Sequence, residues 1–132
     1  MVDEATLLER AWEARERAFA PFSAFRVGAA LVGASGRVWT GCNVESASYS
    51  LTCCAERVAI FKGVSEGETR FVAVAVVADC DPVATPCGAC RQVLQEFAPE
   101  ATLVAASRAG LLHTTVAALL PHPFDAAALR NR

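Results

Sequence analysis

At 132 residues the chain has the length of one domain, spanning 1–132, with enough material to bury a core. A formal net charge of −2, a single lysine (Lys62) and scattered arginines exclude the basic stripe needed to grip DNA or RNA, so a small neutral substrate is expected and a nucleic-acid polymer is not. The longest apolar run, residues 71–78, is far too short to span a bilayer and no signal peptide is visible, so the expectation is a cytoplasmic protein with no membrane partner.

Thr6 and Glu9 have the spacing of a capping box, and Leu8, Ala11, Trp12 and Phe19 recur at helical intervals. These predict a first helix over residues 4–18, stopped before Pro21. Residues 27–32 and 38–43 read as strands around Gly33-Ala34-Ser35-Gly36, a hairpin signal. Residues 44–51 are polar and loop-like, and a second helix is predicted over 52–62, ended by Gly63. The valine-rich run 71–78 has the character of a strand covered on both faces. Pro86 suits a helix start, placing a third helix over 88–97. Two short strands, 102–106 and 111–115, flank Arg108-Ala109-Gly110, and short helical segments at 116–120 and 125–129 complete the chain. The order αββαβαββα describes a central sheet with helices on its faces. The chain is 54% hydrophobic, more than one domain of this size needs for its core, which points to faces covered by other copies of itself.

Six cysteines in an unexported chain favour metal binding or free thiols over disulfides. Cys54-Ala55-Glu56 and Pro86-Cys87-Gly88-Ala89-Cys90 carry the chemistry. Three thiolates at Cys54, Cys87 and Cys90 suit one zinc ion, and catalytic zinc sites keep three protein ligands where structural ones usually close with four. Both ligand groups fall at predicted helix starts, where free N–H groups and the positive dipole end favour thiolate. Cys87 and Cys90 share a helix face and can chelate one ion. A lone C-x-x-C is also a redox pair or half of a structural site; the C-A-E group at a second helix start separates this pattern from both. If Cys53 bound as well, the site would be a closed four-thiolate one, but adjacent helical residues point about 100° apart. Cys53, Cys42 and Cys80 are therefore read as small, buried, inert thiols. Glu56 is either a first-turn glutamate favoured by the helix dipole or a proton carrier beside the metal. Arg57 is either a surface arginine or a donor to the sulfurs that offsets their charge. His113 and His122 read as strand and loop histidines.

The order C-A-E … P-C-G-A-C parallels the H-x-E … P-C-x-x-C signature of zinc nucleobase deaminases, with Cys in place of His. The wider sequence resembles the cytidine deaminase family, in its short homotetrameric branch, over residues 21–124. The resemblance rests on Pro21-Phe22-Ser23-Ala24-Phe25-Arg26-Val27-Gly28-Ala29-Ala30-Leu31, Thr40-Gly41-Cys42-Asn43-Val44-Glu45-Ser46-Ala47-Ser48-Tyr49, the two cysteine blocks, and Leu119-Leu120-Pro121-His122-Pro123-Phe124. It implies a three-layer α/β/α sandwich with a mixed five-stranded sheet. The implied activity is hydrolytic deamination of cytidine and 2′-deoxycytidine in pyrimidine salvage, with one Zn2+ per chain. By the same resemblance Cys54, Cys87 and Cys90 hold the zinc, Glu56 shuttles the proton, and Arg57 stands behind the sulfurs. Asn43 and Glu45 bind ribose hydroxyls, Phe22 and the backbone of Ala55 contact the base, and Tyr49 and Phe124 are offered to a neighbouring subunit's site in a homotetramer. Paired Asn and Glu suit a polyol, since one donates and accepts while the other only accepts. Arg26 stands where many members carry proline and Cys53 where a small aliphatic residue is usual.

Three other readings compete with cytidine. A related aminohydrolase acting on another nucleoside, such as blasticidin S, would have less use for Asn43-Val44-Glu45. Deamination of a base within RNA or DNA conflicts with the negative net charge. A non-catalytic zinc module would have no use for Glu56 beside an open coordination position.

Overall fold

The structure is a computed structural model and describes residues 2–130. Helix α1 spans Glu4–Arg15 and is capped by Asp3, whose carboxylate accepts from the Thr6 N–H at 2.8 Å. The Thr6–Glu9 box expected from sequence is therefore replaced by a cap three residues earlier. The helix also ends before the expected residue 18. Phe19 donates its N–H to the Asn43 carbonyl at 2.9 Å, an extended pairing that a helical residue could not make.

Strands β1 (Val27–Gly33) and β2 (Val38–Cys42) form the expected hairpin, turned by Gly36 at φ +91°. Helix α2 covers Ala55–Ser65, three residues later than expected. Cys53 exchanges both backbone hydrogen bonds with Val44, at 2.9 and 3.0 Å, which keeps the chain extended up to Cys54. Gly63 does not end the helix. It sits within α2, where a Cβ would stand 2.8 Å from the Phe71 ring, so a glycine is needed for packing rather than for termination.

The remaining elements follow the expected order: β3 (Phe71–Ala78), α3 (Gly88–Phe97), β4 (Thr102–Ala106), β5 (Leu111–Thr115), α4 (Val116–Leu119) and α5 (Ala126–Arg130). The five strands form one mixed sheet in the order β2-β1-β3-β4-β5, antiparallel except for the β3–β4 pair. A parallel pair needs a crossover, and α3 supplies it.

Alternation along the strands divides the core in two. Ala30, Val32, Ala75, Val77 and Val104 face α1 through Leu7 and Ala11. Ala29, Leu31, Val74, Val76 and Leu103 face α2 and α3 through Ala59, Ile60 and Leu94. β3 is therefore covered on both faces, as its unbroken apolar run predicted. The result is a three-layer α/β/α sandwich around a mixed five-stranded sheet.

Two glycines set how closely the helices approach. A Cβ on Gly28 would lie 2.0 Å from the Ala11 carbonyl oxygen of α1, and one on Gly41 would lie 2.5 Å from the Ala55 carbonyl oxygen of α2. Backbone on backbone cannot give way, so Gly41→Ala must push α2 off the sheet. Unfolding in urea should show Gly41→Ala destabilised by about 1–3 kcal/mol, the range for overpacking. Gly110→Ala, where a Cβ meets nothing within 4 Å, should stay within about 0.5 kcal/mol of the parent.

Candidate metal centre and substrate cavity

The start of β1 and the ends of β2 and β3 lie together, since Gly28 pairs with both Cys42 and Val77. The N-termini of α2 and α3 meet at this end of the sheet. Cys54 is the N-cap of α2, Cys87 is the N-cap of α3, and Cys90 lies in the first turn of α3. Neither N-cap cysteine makes a side-chain capping bond, so both sulfurs are free to turn toward each other.

Their ligand atoms and that of Cys90 all lie within 4.8 Å of one another. This is the one group of three or more potential ligands so placed among the described residues. Cys54 Sγ and Cys87 Sγ are 3.7 Å apart. Two sulfurs on one tetrahedral zinc at about 2.3 Å would stand about 3.8 Å apart, so the spacing fits the ion. Cys53 is outside the group and burial pushes its thiol up. It is half-buried rather than buried, as are Cys42 and Cys80, and all six cysteines are free of disulfides.

Electrostatics favour charge on one of these sulfurs, that of Cys54. Hydrogen bonding from the Cys90 thiol, with further help from Arg57 and Cys87, brings Cys54 down to about 5. Cys90, as the donor to that thiolate and buried as well, is pushed up; a bound cation would deprotonate it outright. Arg57 donates from Nη2 to Cys54 Sγ at 3.4 Å, and the sulfur in turn raises the arginine's own pKa.

Glu56 follows in the first turn of α2 and is only 3% exposed. Burial, reinforced by the Cys54 sulfur, pushes its carboxyl up to about 7. No ion pair neutralises it among the described residues.

A cavity of about 230 Å³ opens beside these groups, lined by Asn43, Glu45, Cys54, Ala55, Glu56 and Cys87, with Ser23, Phe25, Thr52 and Thr85 among its other walls. A second, more open depression of about 410 Å³ shares Ser23, Glu45 and Thr52 with it and adds Phe22 and Tyr49. The two adjoin at these shared residues, one reaching the sulfurs and the other the surface, and together make up a trough. Phe22 and Tyr49 meet edge to face at its outer end, ring centroids 6.3 Å apart. Phe124 stands apart: its carbonyl accepts from Gln92 Nε2, its ring is exposed, and it lines neither part of the trough.

The Asn43–Glu45 segment is held on both sides. Phe19 and Cys53 pair with its backbone, and its side chains reach the turn before β1. Asn43 Oδ1 accepts from Val27 N at 2.9 Å, and its Nδ2 donates to the Phe25 carbonyl at 2.8 Å. Glu45 accepts from Phe22 N at 2.9 Å, Ser23 N at 3.1 Å and Ser23 Oγ. Ala24 within that turn has φ +59°, a left-handed conformation costing an alanine roughly 1–2 kcal/mol. The turn is held by these hydrogen bonds against its local preference.

Ser23 and Arg91 do not stand out in the sequence. Arg91 donates to Thr85 Oγ1 at 2.8 Å, the Pro86 carbonyl at 2.7 Å and the Leu119 carbonyl at 3.0 Å. It thereby ties the cavity wall to α3 and the C-terminal segment. The only sequence signal for Arg91 is its place four residues after Cys87, on the same helix face.

Three sulfurs and a buried carboxylate gathered at two helix N-termini define a hydrolytic metal centre. Comparison with known proteins specifies which kind. Residues 1–106 match the family model for the cytidine and deoxycytidylate deaminase zinc-binding region. A cytidine deaminase of Sporosarcina psychrophila is 46% identical over 126 residues, 94% of this chain and 93% of its own. One from Halalkalibacterium halodurans is 48% identical over 127 residues, covering 95% and 96% of the two chains. The crystal structure of cytidine deaminase from Burkholderia pseudomallei superposes with a TM-score of 0.88 at 44% identity, covering 93% of this chain and all of that one. The chain belongs to the cytidine and deoxycytidylate deaminase family.

Metal analysis of purified variants tests the ligand set. The parent and Cys53→Ala should carry about one zinc per chain, and Cys54→Ala should carry little after dialysis, because two thiolates remain where catalytic sites use three protein ligands.

Proposed function

We propose that the chain hydrolyses cytidine and 2′-deoxycytidine to uridine and 2′-deoxyuridine with release of ammonia, in cytoplasmic pyrimidine salvage. The observation that carries this reading is a 3%-exposed Glu56 lining the same cavity as Cys54 and Cys87. Zinc held by Cys54, Cys87 and Cys90 supplies the Lewis acidity that makes water a nucleophile near neutral pH. Glu56 removes a proton from the attacking water and delivers it to N3 of the base, which leaves C4 electron-poor. The water oxygen adds to C4, and Glu56 then carries the second proton of that water to the departing amine. A carboxyl pushed to about 7 by burial can both take and return protons in this range. Arg57, donating to Cys54 Sγ, offsets the negative charge of three thiolates.

We assign the rest of the nucleoside to the trough. The backbone of Ala55 and the ring of Phe22 contact the base, while Asn43 and Glu45 take the sugar hydroxyls. Asn43 does so with the donor and acceptor capacity left over from the Val27 and Phe25 contacts, since its amide offers two N–H groups and two lone pairs.

The outer end of the trough is open, with Tyr49 77% and Phe22 51% exposed, and Phe124, away from the trough, is 59% exposed. We assign Tyr49 and Phe124 to a neighbouring copy's site in a homotetramer. Phe124 lines no part of its own chain's trough, and covering a neighbour's trough would exclude water from the zinc and Glu56.

Glu56→Gln keeps the side-chain shape and removes the base. Its zinc content should equal the parent's while cytidine turnover falls by roughly 10²–10⁴; turnover near the parent rate would remove Glu56 from the mechanism. The shared site is tested by complementation. Phe124→Ala and Glu56→Gln chains, refolded together, should recover part of the activity that neither has alone. A verified mixed oligomer with no recovery, or an active monomer in light scattering, contradicts the assignment.

A further inference from the structure

We infer that Ser23 is a positioning residue that orients the Glu45 carboxylate for the sugar, and so sets how tightly the enzyme holds a nucleoside. This rests on the sugar-binding role given to Glu45 above and extends it to the side chain that holds the Glu45 carboxylate in place.

An ionised carboxylate has about four acceptor sites, two on each oxygen. On Glu45, Oε1 accepts from two backbone groups, Phe22 N at 2.9 Å and Ser23 N at 3.1 Å. Oε2 has one protein partner, the Ser23 hydroxyl. The turn before β1 thus occupies three sites and leaves one, on the oxygen that Ser23 alone holds.

The hydroxyl cannot rotate freely. Its oxygen accepts from Phe25 N at 3.0 Å, which turns its proton toward Glu45. The bond to Ser23 is also the main reason the Glu45 carboxyl lies below the usual range, so the group presented to the sugar is a fixed anion that can only accept. Ser23 and Glu45 both line the two parts of the trough.

Removing the hydroxyl has a local consequence. The two backbone bonds to Oε1 remain, and the exposed Phe25 N–H exchanges the Ser23 oxygen for solvent, so the fold loses no buried contact. Oε2 is then free to swing, and the substrate must immobilise it on binding. That loss appears in KM and leaves kcat untouched, because the chemistry at C4 is carried by Glu56. It also appears only for substrates whose hydroxyl meets Oε2.

Steady-state kinetics of Ser23→Ala, Ser23→Thr, Glu45→Ala and the Ser23→Ala/Glu45→Ala double variant on cytidine, 2′-deoxycytidine and 3′-deoxycytidine test this. Ser23→Ala should raise the cytidine KM on the order of tenfold, the scale of one hydrogen bond to a charged group, with kcat within about twofold of the parent. Ser23→Thr, which keeps the hydroxyl, should restore most of the loss. The penalty should vanish on whichever deoxy analogue is also indifferent to Glu45→Ala, and the double variant should be no worse than Glu45→Ala alone. If Glu45→Ala raises KM but Ser23→Ala does not, Ser23 has no positioning role and the sugar reading stands. A fall in kcat that Thr does not rescue likewise overturns the inference. If Glu45→Ala leaves the cytidine KM unchanged, the sugar reading itself fails and this inference fails with it.

Discussion

Everything in this molecule depends on two helix N-termini brought to one point. Cys54 stands at the N-cap position of α2 and Cys87 at that of α3, and with Cys90 their sulfurs fall within 4.8 Å of one another. No segment of the chain achieves that alone, since the two caps are 33 residues apart in sequence. The sheet does it. β3 and β4 run parallel, so α3 must cross back over the sheet and begin near the end of β3. On β2, Gly41 lets the α2 backbone approach more closely than any side chain would permit. The unpaired N–H groups at both helix starts then favour negative charge where the thiolates gather. Burial of Glu56 comes from the same packing, since it occupies the first turn of a helix pressed onto the sheet.

A second constraint places the trough beside that centre. Residues 43–45 lie between Phe19 and Cys53 in short extended pairings, so the segment that carries Asn43 and Glu45 is attached directly to the one that enters α2. Their side chains also pin the turn that carries Phe22, Ser23 and Phe25. The polar residues assigned to the sugar therefore build the pocket as well as line it. Replacing either one disturbs the wall opposite it as well as its own. Arg91 performs the corresponding task on the other wall, with three donors holding Thr85, Pro86 and Leu119.

The parts of this arrangement that were legible in the sequence are those with a local spacing. C-x-E and C-x-x-C place ligands and carboxylate on single helical turns, and the structure collects those three sulfurs and leaves Cys53 outside. The apolar runs of β3 and β4 and the third helix at Gly88–Phe97 were equally plain. What escaped depends on pairing between distant segments. The start of α2 could not be read because nothing near residue 52 announces that Cys53 is hydrogen-bonded to Val44. The end of α1 is hidden for the same reason, since Phe19 pairs with Asn43 far along the chain. Gly63 carries an ordinary helix-stop signal, but it serves the close contact with Phe71. Ser23 has no local signal for its contact, since Glu45, whose carboxylate it meets, lies 22 positions away.

X-ray absorption at the zinc edge of the purified, zinc-loaded protein tests the central claim most directly. Three sulfur scatterers at about 2.3 Å and one oxygen or nitrogen neighbour are predicted, with the light scatterer present in Cys53→Ala as well. A shell of four sulfurs would mean that Cys53 or another thiol closes the site, and a closed site leaves Glu56 with no water to act upon.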